Sequence, residues 1–509
     1  MFPARMPDLE RTKRYAGFFI QYSRIMKKIL PSFLLLFISI SSFAQTDLDA
    51  FRYSQSNLSG TSRFTSMGGA FGALGGDFSC LAANPAGIAI YRKSEISFTP
   101  SVFIGSTESN FLGKTNTERR FNFNFGNTGA VFTHKLTEND EGSGWKSWNF
   151  GFGYNRINNF HNRSFYENTN PKNSLTNYFA ENAQGTGYEN LDPFYEYLAY
   201  YTYLINPDSV NNYSSAVPNG NIVQRRSSET RGSMGETNIS FGGNYSNRLF
   251  LGGSIGFANI RYLEETTFEE IDKENVIDTL NQFQFDQNLT TRGFGFNFKF
   301  GMIYRATDWV RLGATVHTPT WYSMHDDYNS TIKAKFDGGY SDTKDSPDGS
   351  YDYTLTTPFK AIGSLAFIIG KYGLISGDYE FSDYSEARLD AVDATFADAN
   401  DVIRNKYTST STLRVGAEYR IGNYSLRGGT AFTSSPLNTQ YIAGGADFKK
   451  TSYGGGIGIR DKDLFVDIGY MYTESNEYFQ PYTLRNQDVP GVKNKVRTNN
   501  VTITFGVRF

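Results

Sequence analysis

The chain has 509 residues, 16% of them aromatic, with 44 Phe, 34 Tyr and 50 Gly, and a formal net charge of -2. That balance, with no basic face, excludes a nucleic-acid footprint, and a single cysteine, Cys80, excludes an intramolecular disulfide framework and a cysteine-built zinc site. Length alone would allow roughly two to four soluble domains, but glycines, turn residues and aromatics at this density argue for one large β structure.

The N-terminus reads as a targeting signal. Met26-Lys27-Lys28 is a basic start, Ile29 to Ile40 an apolar stretch, and Ser42-Phe43-Ala44 offers small residues for cleavage before Gln45. The apolar stretch is too short and wrongly flanked for a spanning helix. Residues 1–44 are thus an extension plus signal peptide, with Met26 the expected true start. No later apolar run is long enough to span as a helix, so a membrane home requires a closed barrel.

Ser59 to Arg92 comes next, with Gly68, Gly69, Gly72, Gly75, Gly76 and Gly87 among small and apolar residues. Glycines this dense allow close backbone approach and positive φ. Asn84-Pro85-Ala86-Gly87 then punctuates the segment: Pro85 stiffens the junction, and the Asn84 side chain can hydrogen-bond nearby backbone. The expectation is a compact segment, residues 45–93, tucked against or inside a large β structure formed by residues 94–509. Cys80 reads as a small buried filler within it.

Period-two alternation follows to the last residue. The expected strands are Ser94–Ser106, Arg119–Leu136, Lys146–Arg156, Glu236–Ser246, Arg248–Tyr262, Thr291–Arg305, Trp309–Thr318, Leu355–Ile369, Tyr372–Ala387, Ser409–Arg420, Tyr424–Phe432, Lys450–Arg460, Leu464–Thr473 and Thr498–Phe509. That is about fourteen, the even number of single-chain bacterial barrels. From Glu236 onward, tight turns such as Gly370-Lys371 and Ile421-Gly422-Asn423 alternate with long polar stretches such as Leu263–Leu289 and Pro319–Tyr353. A transmembrane barrel has this asymmetry of short periplasmic turns and long outer loops; a soluble sandwich has no reason for it. Phe294, Phe296, Phe298, Phe300, Met302 and Tyr304 share one face, opposite Asn297, Lys299 and Arg305, which suits lipid outside and a polar lumen inside. The fold class is therefore all-β, a transmembrane antiparallel barrel with the N-terminal segment against or inside it, and the outer-membrane lipid is its surroundings.

Strand parity places Lys299, Arg305, Arg311, His317, Asp378, Glu380, Arg414, Glu418, Arg420, Arg427, Arg460, Asp467 and Arg508 in the lumen. Most should form internal ion pairs; Arg414, Arg420 or Arg427 are candidates to bind a ligand carboxylate, since a guanidinium fork holds one bidentately. In the longest loop, Asp192-Pro193 reads as a helix start and Asn206-Pro207 as its end. Leu191, Phe194, Leu198 and Tyr201 share one face between them, and serve either to pack a lid or to gather greasy molecules.

The pattern Arg63…Gly68-Gly69-Ala70…Asn84-Pro85-Ala86-Gly87 resembles the hatch of the FadL/TodX family of outer-membrane channels for hydrophobic compounds, in a Bacteroidetes-type form with enlarged loops. The resemblance covers nearly the whole mature chain, although only this pattern is specific. It implies that residues 45–93 are an N-terminal hatch or plug inside the barrel, an outer-membrane localisation after signal cleavage, and hatch-gated passive uptake of hydrophobic small molecules such as long-chain fatty acids or aromatic hydrocarbons. It further implies a ligand pocket at the hatch, formed around Arg63, Phe64, Met67, Gly68, Gly69, Phe71, Leu74, Asn84, Pro85, Ala86 and Gly87, and a sideways exit at a kinked strand, for which Gly151 to Asn159 is the candidate. The alternative is a non-transporting scaffold with outer-membrane protein partners. No enzyme activity, cofactor or metal is expected: His134, His161, His317 and His325 have no metal-ligand spacing, and no G-x-S-x-G elbow or phosphate-binding loop is present.

Overall fold

Each alternating run becomes a strand, and the strands close on themselves. The computed structural model describes residues 46–136, 143–392 and 395–509. Its wall consists of β1 (Glu95–Phe111), β2 (Lys114–Lys135), β3 (Trp145–Asn159), β4 (Ile222–Tyr245), β5 (Leu249–Ile271), β6 (Leu280–Arg305) and β7 (Val310–His317). It continues with β8 (Lys360–Ile369), β9 (Gly373–Asp383), β10 (Ser409–Ile421), β11 (Tyr424–Thr433), β12 (Lys450–Asp461), β13 (Leu464–Phe479) and β14 (Val492–Arg508). All neighbours are antiparallel, and β14 pairs back onto β1, Arg508 opposite Glu95 and Val492 opposite Phe111. The fourteen-strand closed barrel expected from alternation is therefore the fold. The signal peptide, its cleavage before Gln45 and the extension before Met26 lie outside the described residues.

At one end the strands are joined by tight turns, as at Ser246-Asn247, where both residues take positive φ (54° and 53°) in the manner that matches strand twist. At the other end most connections are long. One exception is the β1–β2 hairpin, closed by Leu112-Gly113 alone. It therefore carries both strands beyond the residues expected for them, with β14 paired alongside β1 as far as Phe111.

Outward positions make an apolar belt. On β6, Phe294, Phe296, Phe300, Met302 and Tyr304 are exposed outside while Asn297 and Lys299 are buried inside. Phe294 to Tyr304 is close to the ~9–11 residues a strand needs to cross a bilayer. Above it the outward face turns polar at Arg292 and, on β5, at Arg261. No described helix is long and apolar enough to cross a membrane, so the strands make the crossing.

Beyond the belt the wall continues as a folded outer region. The strand Trp321–Phe336 carries on from β7 along β6, and Gly349–Thr356 leads into β8. Both lines break at a proline, Pro319 and Pro358, which cannot donate to the ladder. Helices enter in chain order as α1 (Asp47–Ser54), α2 (Ser62–Ser66), α3 (Cys80–Ala83), α4 (Leu175–Ala183), α5 (Glu196–Tyr201) and α6 (Ala397–Lys406). Two apolar cores hold this region together. One joins α4 and α5 to Phe283, Phe285 and Ile332; the other joins α1 and α6 to Tyr262, Tyr322 and Leu355. The loop helix is shorter than Asp192 to Asn206. Tyr203 takes positive φ (58°), which ends the helical path, and Asn206-Pro207 lies in a small hairpin, Ile205–Ser209 with Asn212–Ser215.

Candidate ligand pocket above the plug

Residues 60–91 fold into a plug inside the barrel. Helix α2 begins where the Thr61 hydroxyl accepts from Phe64 N and donates to Asp77 Oδ1 (2.8 Å). It stops at Gly68, whose φ of +63° suits glycine, and where a Cβ would come within 2.7 Å of Thr430 N on β11. The Asn84 side chain accepts from Ala86 N (3.0 Å) and donates to Gly72 O (2.6 Å) and Met302 O (3.4 Å). Pro85 then opens a 3-10 turn, Pro85–Ile90, where its missing N–H is harmless. Asn84-Pro85 thus ties the end of the plug to its own middle and to the wall.

Further bonds hold the plug to the barrel. Asp378 of β9 accepts from Phe71 N (2.9 Å) and Gly72 N (3.0 Å). Thr504 of β14 accepts from Ser62 N (2.7 Å), and His317 Nε2 meets Ala83 O at 2.9 Å. Arg63 pairs with Glu418 of β10, Nε to Oε2 2.7 Å, and Arg427 reaches the same oxygen at 2.7 Å. Phe78 fits against Gly129 and Gly153, where any Cβ would strike its ring. Met67, Phe71 and Leu74 are fully enclosed between plug and wall, and Cys80 is buried beside Phe78, Leu81 and Tyr91.

Above the plug, residues 55–59 cross the lumen as an extended strap. Its backbone bonds once to β3, Asn57 N to Ile157 O (3.0 Å). Two lumenal lysines hold its side chains: Lys360 donates to Ser56 Oγ (2.8 Å), and Lys450 donates to Asn57 Oδ1 (3.2 Å) and to Gln55 Oε1. The strap lines two cavities. One, of about 160 Å³, has Phe64, Gly69, Ala83, Ile157, Tyr322 and Ile362 in its walls. The other, of about 420 Å³, includes Phe51, Phe103, Phe160 and Met471. Some of the charges in these walls are paired, Glu236 with Lys299 and Glu380 with Arg414 (2.6 Å), while Lys360 and Lys450 are held by the neutral side chains of the strap. Helix α1 packs at the second cavity. Phe51 stacks on Tyr407 (4.9 Å between centroids), and Asp47 accepts from Lys406 (2.7 Å) and Tyr407 (2.9 Å).

A plugged barrel with a mixed apolar lumen fits many roles; sequence comparison decides among them. The family model described as outer membrane protein transport protein (OMPP1/FadL/TodX) matches residues 236–509, just over half of the chain. The chain belongs to this family. It is a family of outer-membrane transport proteins, not of enzymes. No curated protein matches the sequence. Among solved structures, the toluene transporter TodX of Pseudomonas putida aligns over 90% of this chain and 100% of its own, with a TM-score of 0.51 and 12% identity. A FadL homologue of Pseudomonas aeruginosa aligns over 89% and 99%, with a TM-score of 0.53 and 11% identity. At these identities the likeness is one of fold.

In this FadL/TodX-family barrel the expected site residues separate into groups. Phe64 and Gly69 line a cavity, whereas Arg63, Met67, Gly68, Phe71 and Leu74 face the wall, and Asn84, Pro85, Ala86 and Gly87 form the junction. Of the three arginines, only Arg414 lines the cavities, already paired with Glu380. Arg420 and Arg427 both bind Glu418, the acid that anchors the plug. In the outer loop Leu191 and Leu198 are buried in the core, Phe194 packs on Tyr328 (4.8 Å), and Tyr201 remains partly exposed.

Three features escaped sequence reasoning. Helix α1 and the strap leave no periodic signal, and Lys360 and Lys450 stand out only once the strap is seen between them. The third is a seam in the wall. β2 and β3 pair from Lys135 opposite Ser147 to Asn127 opposite Asn155, and their ladder ends there. Above that point only side chains join them: Asn127 to Asn155, Arg156 Nε to Phe125 O (3.3 Å) and Asn159 Nδ2 to Asn122 Oδ1 (3.1 Å). Phe121, Phe123 and Phe125 face outward along this stretch, and Arg156, Asn158 and Asn159 line the larger cavity.

Proposed function

We propose that this barrel carries hydrophobic small molecules, of the kind of long-chain fatty acids or aromatic hydrocarbons, inward across the outer membrane. Outer-loop aromatics around Tyr201 gather the molecule, the two cavities receive it once the strap shifts, and it leaves sideways into the bilayer. The observation that carries this reading is the β2–β3 seam: it lies between the larger cavity and the outward-facing Phe121, Phe123 and Phe125, while the plug is bonded to the wall on several sides. Family membership and the likeness to a toluene transporter support the same direction.

The test is a reversible cross-link. Asn122 and Asn159 touch across the seam, so an Asn122→Cys/Asn159→Cys pair should oxidise to a disulfide. Uptake of labelled toluene and oleate by cells carrying this variant should fall on oxidation and return on reduction. Unchanged uptake by the oxidised protein would rule out the sideways exit. The folded outer cores favour a second reading, a scaffold in an outer-membrane assembly. That reading predicts no uptake by the unmodified protein and co-purifying protein partners.

A further inference from the structure

Beneath the plug, the lumen near the tight-turn end is crowded with arginine. Arg305 of β6 and Arg311 of β7 stand directly opposite each other across the ladder. Both point inward, since their neighbours Tyr304 and Leu312 are the exposed outer residues. Like charges placed directly opposite destabilise an antiparallel pair. Arg305 is relieved by Asp308 in the turn (2.8 Å). Among the described residues Arg311 has no such relief: Nη1 donates to the plug carbonyl Leu74 O (3.0 Å), and its buried Nε meets no partner there. The charges bearing most strongly on it are all positive, those of Arg305, Arg63, Arg92 and Arg420. Of these five guanidiniums, Arg305 pairs with Asp308, Arg63 and Arg420 share Glu418 with Arg427, and Arg311 has no carboxylate within salt-bridge reach among the described residues.

Like charges gathered in this vestibule repel one another, and an anion among them would lower the energy. Every cation in it is an arginine, whose planar fork matches the oxygens of carboxylate and phosphate where a lysine offers only a point charge. The same guanidinium of Arg311 holds the Leu74 carbonyl through Nη1, so a group bound at its free Nε would lie beside the plug.

We propose that this vestibule is an oxyanion-binding site centred on Arg311, with Arg305, Arg92 and Arg420 around it. Its ligand is a carboxylate or phosphate group, brought either by an anionic amphiphile passing the plug or by a soluble anion entering from the periplasm. Only the amphiphile arm rests on the transport reading.

Titration calorimetry on the full barrel in non-ionic detergent at low salt separates these. The probes are inorganic phosphate and octyl phosphate, which share the head group and differ in the chain. Wild type should bind, and Arg311→Gln should weaken binding at least about tenfold, the loss expected for a charge-assisted contact. Arg311→Lys keeps the charge without the fork and should also bind more weakly; it decides the matter if Arg311→Gln folds poorly. Arg292→Gln, which removes an exposed outer arginine of the same strand β6, should bind as wild type. Tighter binding of octyl phosphate assigns the site to amphiphiles, and equal binding to soluble anions. The proposal is overturned if neither probe binds, if both Arg311 variants bind like wild type, or if Arg292→Gln weakens binding as much.

Discussion

Arg63 in the plug and Glu418 in the barrel wall form an ion pair of 2.7 Å with both side chains out of solvent. Glu418 also receives Arg427, whose other arm reaches Asp467 (2.6 Å). Removing one partner of a buried pair leaves an uncompensated charge and costs about 3–5 kcal/mol. Glu418→Gln should therefore loosen the plug strongly, because it strands Arg63. Arg63→Met should do less, because Glu418 keeps Arg420 and Arg427. Limited proteolysis of residues 60–91 and single-channel conductance in planar bilayers would report both. Equal protection of the two variants would contradict this ranking.

Two adjacent glycines separate backbone strain from crowding. Gly75 and Gly76 share φ of +64°, but a Cβ on Gly75 would lie 2.7 Å from Gly87 Cα, whereas one on Gly76 meets nothing nearer than 3.9 Å. Gly76→Ala should cost about 1–2 kcal/mol from the left-handed backbone alone. Gly75→Ala should cost more and push the Asn84–Gly87 junction away. Hydrogen exchange across residues 72–90 should show the larger loss of protection for Gly75→Ala.

The outer region should be more stable in acid. Glu270, at the outer end of β5 well beyond the belt, is fully buried and accepts hydrogen bonds from Leu175 N (2.8 Å), Gln224 Nε2 (2.7 Å) and Ser174 Oγ. Burial outweighs these bonds and pushes its carboxyl up from the usual 4.5 to about 7. The folded state thus holds a proton that the unfolded chain releases. This stabilisation is complete below about pH 4 and is lost as the pH rises through about 7. The whole effect is on the order of 3 kcal/mol. Protection of α4 from hydrogen exchange should fall between pH 5 and pH 8, and Glu270→Gln should flatten that change.

Helix α1 depends on aromatic packing for its place at the outer cavity. Phe51 stacks on Tyr407 and meets Tyr384 edge-on at 5.1 Å. Phe51→Ala should cost about 3–5 kcal/mol of local stability, freeing residues 47–57 while the barrel stays folded. Hydrogen exchange confined to that segment and to α6 would confirm it; exchange spread through the wall strands would show that α1 supports the barrel itself.

What the sequence determined by itself is the wall. Alternation is a local signal with a period of two, and a lipid-facing Phe300 beside a buried Lys299 announces its face without reference to any distant residue. The turns of the N-terminal segment were legible for a similar reason, since Asn84-Pro85 and Gly68-Gly69 encode them within a few residues, but its place inside the barrel was not. Strand pairing was not. The ladder between β2 and β3 stops at Asn127 opposite Asn155, and nothing local in either strand says where the partner will leave. Parity placed Arg414, Arg420 and Arg427 in one lumen. Only the folded plug divides that lumen, putting Arg414 at the cavities and leaving the other two with Glu418. Phe51 against Tyr407, Ser56 against Lys360 and Arg311 beneath Leu74 are likewise meetings of distant segments. Such contacts exist only once the barrel has closed and the N-terminal segment lies inside it, so tertiary structure alone decides the pocket, the seam and the vestibule.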